Sequence, residues 1–167
     1  MTHAQPVKSI RRPVHGRATT ALQVLSLLLI SLIVGSMFGI WRGYDPASFS
    51  PTTFVEVHQG AVRGLNILLP AMALVCILSV AVLAWLGRGM PQSFWLYIAA
   101  AIAMVAGGLI TRFGNQPLNA VIMAWSALPP DGWQMIRETW WNWHLARLAA
   151  GFVAELLLIA AIFTHRG

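Results

Sequence analysis

Residues 18–41 read ATTALQVLSLLLISLIVGSMFGIW, a run without a single Asp, Glu, Lys or Arg. A helix that crosses roughly 30 Å of hydrocarbon at about 1.5 Å per residue needs about 20 apolar residues. The run is long enough, and it predicts a membrane span. Working outward, residues 64–87 and 89–111 are equally free of charge, and residues 148–165 carry only Glu155. The expected fold is all-α: a four-helix transmembrane bundle of two antiparallel hairpins, with spans at about 19–41, 64–87, 92–111 and 144–164. Residues 18–167 form the membrane domain, and residues 1–17 are expected to be a disordered basic tail.

Composition supports this. The 167 residues are 57% hydrophobic and 10% charged, against about 25% charged in an ordinary soluble domain. The formal charge of +6 does not point to nucleic acid, because the basic residues form no sustained cluster interleaved with stacking aromatics. The expected surroundings are a lipid bilayer. Cys76 is the single cysteine, which excludes a disulfide framework or a cysteine metal site within one chain. The first apolar run exceeds the 7–15 residues of a signal-peptide core and lacks an Ala-x-Ala-type end, so it reads as an uncleaved anchor.

Four spans put both termini on one side. Lys8, Arg11, Arg12 and Arg17 precede the first span with no acid among them, and such a concentration favours the cytoplasm. The expected location is the cell (inner) membrane, multi-pass, with both termini cytoplasmic. Two long connections, about Arg42 to Val62 and Phe113 to Trp143, then fall on the outer face, while GRGMP at 87–91 makes a short turn.

Polar residues enter the membrane as stripes. In FVEVHQGAVRGLNILLP (54–70), Glu56, Gln59, Arg63 and Asn66 fall within an arc of about 80°, Pro70 continues that face, and His58 lies about 100° away. In a helix running from Arg137, the residues Arg137, Trp140, His144, Arg147, Gly151 and Glu155 also share about 80°. Arg112, Asn115 and Asn119 have helical spacing, but Gly114 and Pro117 predict a break between them. Unpaired polar groups in hydrocarbon are costly, so such stripes must face other helices or a cavity. All three lie at one end of the bundle, and they predict one pocket bounded by Arg63, Asn66, Asn115, Asn119, His144 and Arg147. A metal site of His58, His144 and Glu56 or Glu138 is the weaker alternative, since neighbouring arginines repel a cation; no metal is expected. Trp125, Trp133, Trp140, Trp141 and Trp143 suit a membrane interface or a sandwich around a flat aromatic ligand. Glu155, near mid-membrane, needs a partner among Arg147, Gln23, Ser26 and Ser31.

Two motifs carry a resemblance. GNQPLNA (114–120) holds Asn-x-Pro-x-Asn, and TWWNWHLARLAAG (139–151) holds Trp-x-x-x-His-x-x-Arg. With HQGAVRGLN (58–66), they resemble the anthrone-oxygenase-like integral membrane family over roughly residues 20–165. The resemblance implies oxidation of polycyclic anthrones to anthraquinones by dioxygen, with no known cofactor required. Such chemistry asks for a base, cations for the enolate oxygen and a water-poor slot. His144 or Glu56 is the candidate base. Arg63, Arg112 and Arg147 are candidates to hold oxyanions, with Asn66, Asn115, Asn119 and Trp140 completing the substrate site. The rival expectation is a non-enzymatic membrane protein or partner subunit that binds a lipid or quinone head group.

Overall fold

The computed structural model describes residues 16–166, with the side chain of Arg166 excepted. The expectation of a disordered tail therefore lies outside the described residues except at its last two. The described chain is helical, with no strand. It comprises α1 (Arg17–Gly43), α2 (Pro51–Leu65), α3 (Leu68–Leu86), α4 (Pro91–Ile110), a π-helical turn (Thr111–Asn115), α5 (Gln116–Met123) and α6 (Trp133–Arg166). Four continuous helical stretches, 17–43, 51–86, 91–123 and 133–165, are long and apolar enough to cross a membrane, each containing an 18-residue window with a mean hydropathy of 2.3, 2.8, 2.0 and 2.1 respectively.

The two connections expected to be long are mostly helical. Ser50 caps α2, its hydroxyl accepting from the Thr53 amide at 3.2 Å, and Pro51 occupies the first turn, where its missing N–H is harmless. The chain then runs through α2 into α3 with only a kink at Asn66–Ile67. The kink has a local cause in Pro70. It cannot donate to the carbonyl of Asn66, four residues back, and its ring crowds that carbonyl.

The break expected at Gly114 and Pro117 is a π-helical turn instead. The Gln116 amide bonds to the Thr111 carbonyl, five residues back. The extra residue shifts the hydrogen-bond register past the proline without ending the helix.

α1 and α4 each pack on both α3 and α6, so the long segments close into a ring. α1 turns Gln23, Ser26, Ile30, Val34 and Met37 inward, at the three- and four-residue steps of one helical face. Along α4 and α6 the partners run in opposite sequence order. Ser93 donates to Thr164 at 3.2 Å, Gly107 lies against Ala150, and Gly114 lies under Trp143.

Two glycines set close approaches. A Cβ at Gly114 would lie 2.5 Å from Cδ2 and 2.7 Å from Cγ of Trp143, atoms near the root of a large ring. A Cβ at Gly151 would meet Met37 Cε at 2.9 Å and Val34 Cγ2 at 3.1 Å, and the methionine end can swing aside. Gly114→Ala is expected to cost about 1–3 kcal/mol, as overpacking does, and Gly151→Ala less. Thermal unfolding in mild detergent checks the order; equal costs would mean that Trp143 does not fix the spacing of α4 and α6.

Glu155 finds one of its expected partners. The Ser31 hydroxyl donates to Oε1 at 2.5 Å, while Arg147 is engaged elsewhere. A Gln at this position keeps the acceptor. Glu155→Gln is therefore expected to fold and to unfold within about 1 kcal/mol of the wild type. Failure of that variant to fold would show that the charge itself is required.

Candidate functional site

A cavity of about 350 Å³ lies among all six α-helices and the π-turn, within the range common for small-molecule sites. Its deep part is hydrocarbon, with Ile30, Val34, Ile77, Ala103, Met104 and Ala154 among its walls. Its polar groups gather at one end: Asn66 at the α2–α3 kink, Thr111 and Arg112 of the π-turn, Gln116 and Asn119 of α5, and Trp140 and Arg147 of α6.

Asn119 is the hub of that end. Its Oδ1 accepts from Trp140 Nε1 at 2.8 Å and from His58 Nε2 at 3.3 Å, and its Nδ2 donates to Asn66 Oδ1 at 3.4 Å. Gln116 Nε2 also donates to Asn66 Oδ1, at 2.8 Å. With its proton on Nε2, His58 accepts at Nδ1 from the Tyr44 hydroxyl at 3.4 Å. Burial pushes the Tyr44 phenol above its ordinary pKa, because the charged form loses hydration, and this keeps the proton available to His58. Gln59 fastens α2 to the end of α5 by donating to the carbonyls of Ile122 and Trp125 at 3.1 and 3.0 Å.

The second motif builds a cation. His144 is fully buried and stacks on Trp140 and Trp141, with ring centroids 5.3 and 5.4 Å away. Its Nε2 donates to the Met37 carbonyl at 3.1 Å. Its Nδ1 accepts from Arg147 Nε at 3.2 Å and from a terminal nitrogen of that guanidinium at 2.9 Å. The lone pair a base would use is thus already taken. Arg147, its guanidinium 5.9 Å from the Trp140 ring centroid, keeps its remaining N–H groups for the cavity it lines. It has no carboxylate partner: among the described residues the one ion pair joins Arg137 to Glu138 at 3.2 Å. Arg112 lines the same end, also without a carboxylate.

Of the candidates named from sequence, Asn66, Arg112, Asn119, Trp140 and Arg147 line the cavity. His144 stands behind Arg147. Asn115 is buried and donates to the Trp140 carbonyl at 3.2 Å, outside the lining, with its Oδ1 unpaired. Arg63 and Glu56 are exposed and do not line the cavity. The polar stripe of α2 divides: Glu56 and Arg63 face outward, Gln59 is half-buried against α5 and Asn66 lines the cavity, while the buried side carries Phe54, Val55 and His58. His58 lies off that stripe and is buried. Its signal is Phe54, one turn earlier on the same face, whose ring lies 5.4 Å from the imidazole.

Thr111 and Gln116, unforeseen, complete the polar end. Of those five tryptophans, Trp140 alone lines the cavity; Trp125 and Trp133 pack on Phe54 at 6.4 and 5.1 Å. Among the described residues no three His, Cys, Asp or Glu side chains converge as a metal site would require.

A family model for anthrone oxygenase matches residues 59–157. That stretch contains the kink, the π-turn and both motifs. No curated protein and no solved structure matches the chain.

Proposed function

This chain belongs to the anthrone oxygenase family, and from that premise we propose that it is a membrane oxygenase of anthrone-like substrates, working without a resident metal or organic cofactor. The observation that carries the reading is a hydrocarbon cavity whose polar end holds two arginines and no carboxylate. A part-buried cation without a counter-charge is costly, and an anionic oxygen entering beside it offsets that cost. A ligand that fits has one polar, acidic edge and a flat apolar body.

In the proposed reaction the substrate sits with its carbonyl oxygen toward Arg147 and Arg112. Loss of a proton from the ring methylene puts charge on that oxygen, where the two guanidiniums stabilise it. The proton leaves to water at the polar end. The electron-rich enolate passes one electron to dioxygen, the radical and superoxide combine to a peroxide anion at the former methylene carbon, and that anion takes a proton back from water to become a hydroperoxide. Loss of water leaves a second carbonyl. The carbon gives up two hydrogens and gains one oxygen atom; the other oxygen atom and both hydrogens depart as water. Arg147 and Arg112 hold the oxyanion, and His144 acts as a positioning residue for Arg147. Asn66, Gln116 and Asn119 orient the polar edge, and Trp140 bounds the flat body. Arg63, Glu56 and Asn115 have no direct part in this scheme.

The test is simple. Purified protein in vesicles, given an anthrone and air with no added metal or flavin, forms quinone faster than empty vesicles. A second reading, a non-catalytic holder of a lipid or quinone head group, draws on the absence of a carboxylate or imidazole from the lining. It predicts binding with no turnover across several anthrones.

We place the polar end on the outer side of the cell membrane and both termini in the cytoplasm, from the basic residues before α1 and their preference for that side. A cysteine at position 48 in intact cells should react with an impermeant maleimide. Reaction only after the cells are opened would reverse the orientation.

A further inference from the structure

The cavity has a side. Four of its lining residues are exposed, and all four lie on the facing flanks of two neighbouring segments: Pro70 and Leu74 of α3, Gly108 of α4, and Arg112 of the adjoining π-turn. The lining from α1, α2, α5 and α6 is buried or half-buried. The opening therefore runs between the first half of α3 and the end of α4.

Around it the surface is hydrocarbon. Leu74 and Leu78 are each 58% exposed, and Val105 and Leu109 on α4 are 44% and 52% exposed. In a membrane-spanning helix such residues face acyl chains. The two successive glycines of α4 differ sharply. A Cβ at Gly107 would touch Ala150 at 3.6 Å, whereas one at Gly108 would meet nothing within 4 Å. Gly107 faces the α6 contact, and Gly108 faces open space at the mouth.

Resting on the reading of this cavity as a substrate site, we propose that it is loaded sideways from the bilayer, through the opening between α3 and α4, and that Gly108 keeps that opening wide. The ligand class follows. Among the ring systems already proposed as substrates, it is those apolar enough to collect among acyl chains, since burial of apolar surface drives transfer out of water. Its one polar edge meets Arg112 at the rim and then Arg147 inside. Ring systems too polar to enter the bilayer are poor substrates whatever their fit.

The test reads the opening without reading turnover. In full-length protein carrying Cys76→Ser and Gly108→Cys, a nitroxide spin label is attached at position 108 and the protein is placed in phosphatidylcholine vesicles. Relaxation by dioxygen, which concentrates in the bilayer, is compared with relaxation by a water-soluble nickel chelate. The proposal expects strong relaxation by dioxygen and little by the chelate. Relaxation by the chelate equal to that by dioxygen means a mouth open to water and overturns it. Weak relaxation by both means that position 108 is covered and overturns it equally. In the same vesicles Gly108→Phe, whose ring closes the gap, should lose capture of bilayer-borne anthrone, read as a rise in KM. A protein that oxidises no anthrone removes the catalytic reading, while the spin label still decides the route.

Discussion

Arg147→Met is expected to lower kcat/KM for an anthrone by about 100- to 1,000-fold, the loss that follows removal of a single oxyanion donor. Met keeps the apolar stem and removes the charge and the fork of N–H groups. Arg147→Lys should recover little, because an ammonium cannot hold His144 and an oxyanion in one planar geometry. The partner variants locate the cause. His144→Ala removes the acceptor at Nδ1, 2.9 Å from the guanidinium, and should also reduce turnover. His144→Asn puts an amide oxygen near that position without restoring a base, and should recover most of the lost rate. An Asn variant as slow as the Ala variant would make His144 the proton acceptor and remove its role as a positioning residue.

The second large effect is on stability. Asn119→Leu keeps the volume and removes the hub. Trp140 Nε1 and His58 Nε2 lose their shared acceptor, and Asn66 loses a donor. A buried donor without a partner costs about 1–3 kcal/mol, and interhelical bonds within membranes are measured near the low end of such values. The expected loss is about 2–4 kcal/mol, seen as a lower midpoint in mild detergent, with a change in tryptophan emission. Arg63→Ala, at an exposed position, should stay within about 0.5 kcal/mol of the wild type. Equal stability of Asn119→Leu and wild type would mean that packing alone holds the polar end together.

The sequence made the four helical spans legible because charge is scarce and its absence is easy to read. The motifs of α5 and α6 were legible too, since each polar residue at membrane depth requires an explanation. The α2 stripe divides, Asn66 lining the cavity and Glu56 and Arg63 lying outside it, for a physical reason. A face carrying Glu56 and Arg63 is amphipathic whether it lines a cavity or meets water and head groups. The choice is made by α5 and the tryptophans, which bury Phe54 and His58 instead.

The π-turn was hidden by a similar ambiguity. Gly114 and Pro117 weaken a helix, and nothing local says whether the chain breaks or shifts register by one residue. The partner of Glu155 could be narrowed to four residues from depth alone. Only the packing of α1 on α6 selects Ser31. The hydrogen bonding of His144 rests on something no spacing rule reveals, namely that the Met37 carbonyl of α1 takes one ring proton and leaves the other nitrogen to Arg147.

Isotope transfer tests the central claim most directly. Protein in vesicles is given an anthrone under ¹⁸O₂, and the quinone is analysed by mass spectrometry beside empty vesicles and Arg147→Met. The account predicts one ¹⁸O atom in the new carbonyl, formed at a rate well above the empty vesicles and lost in the variant. Quinone formed at the same rate in all three samples would contradict it.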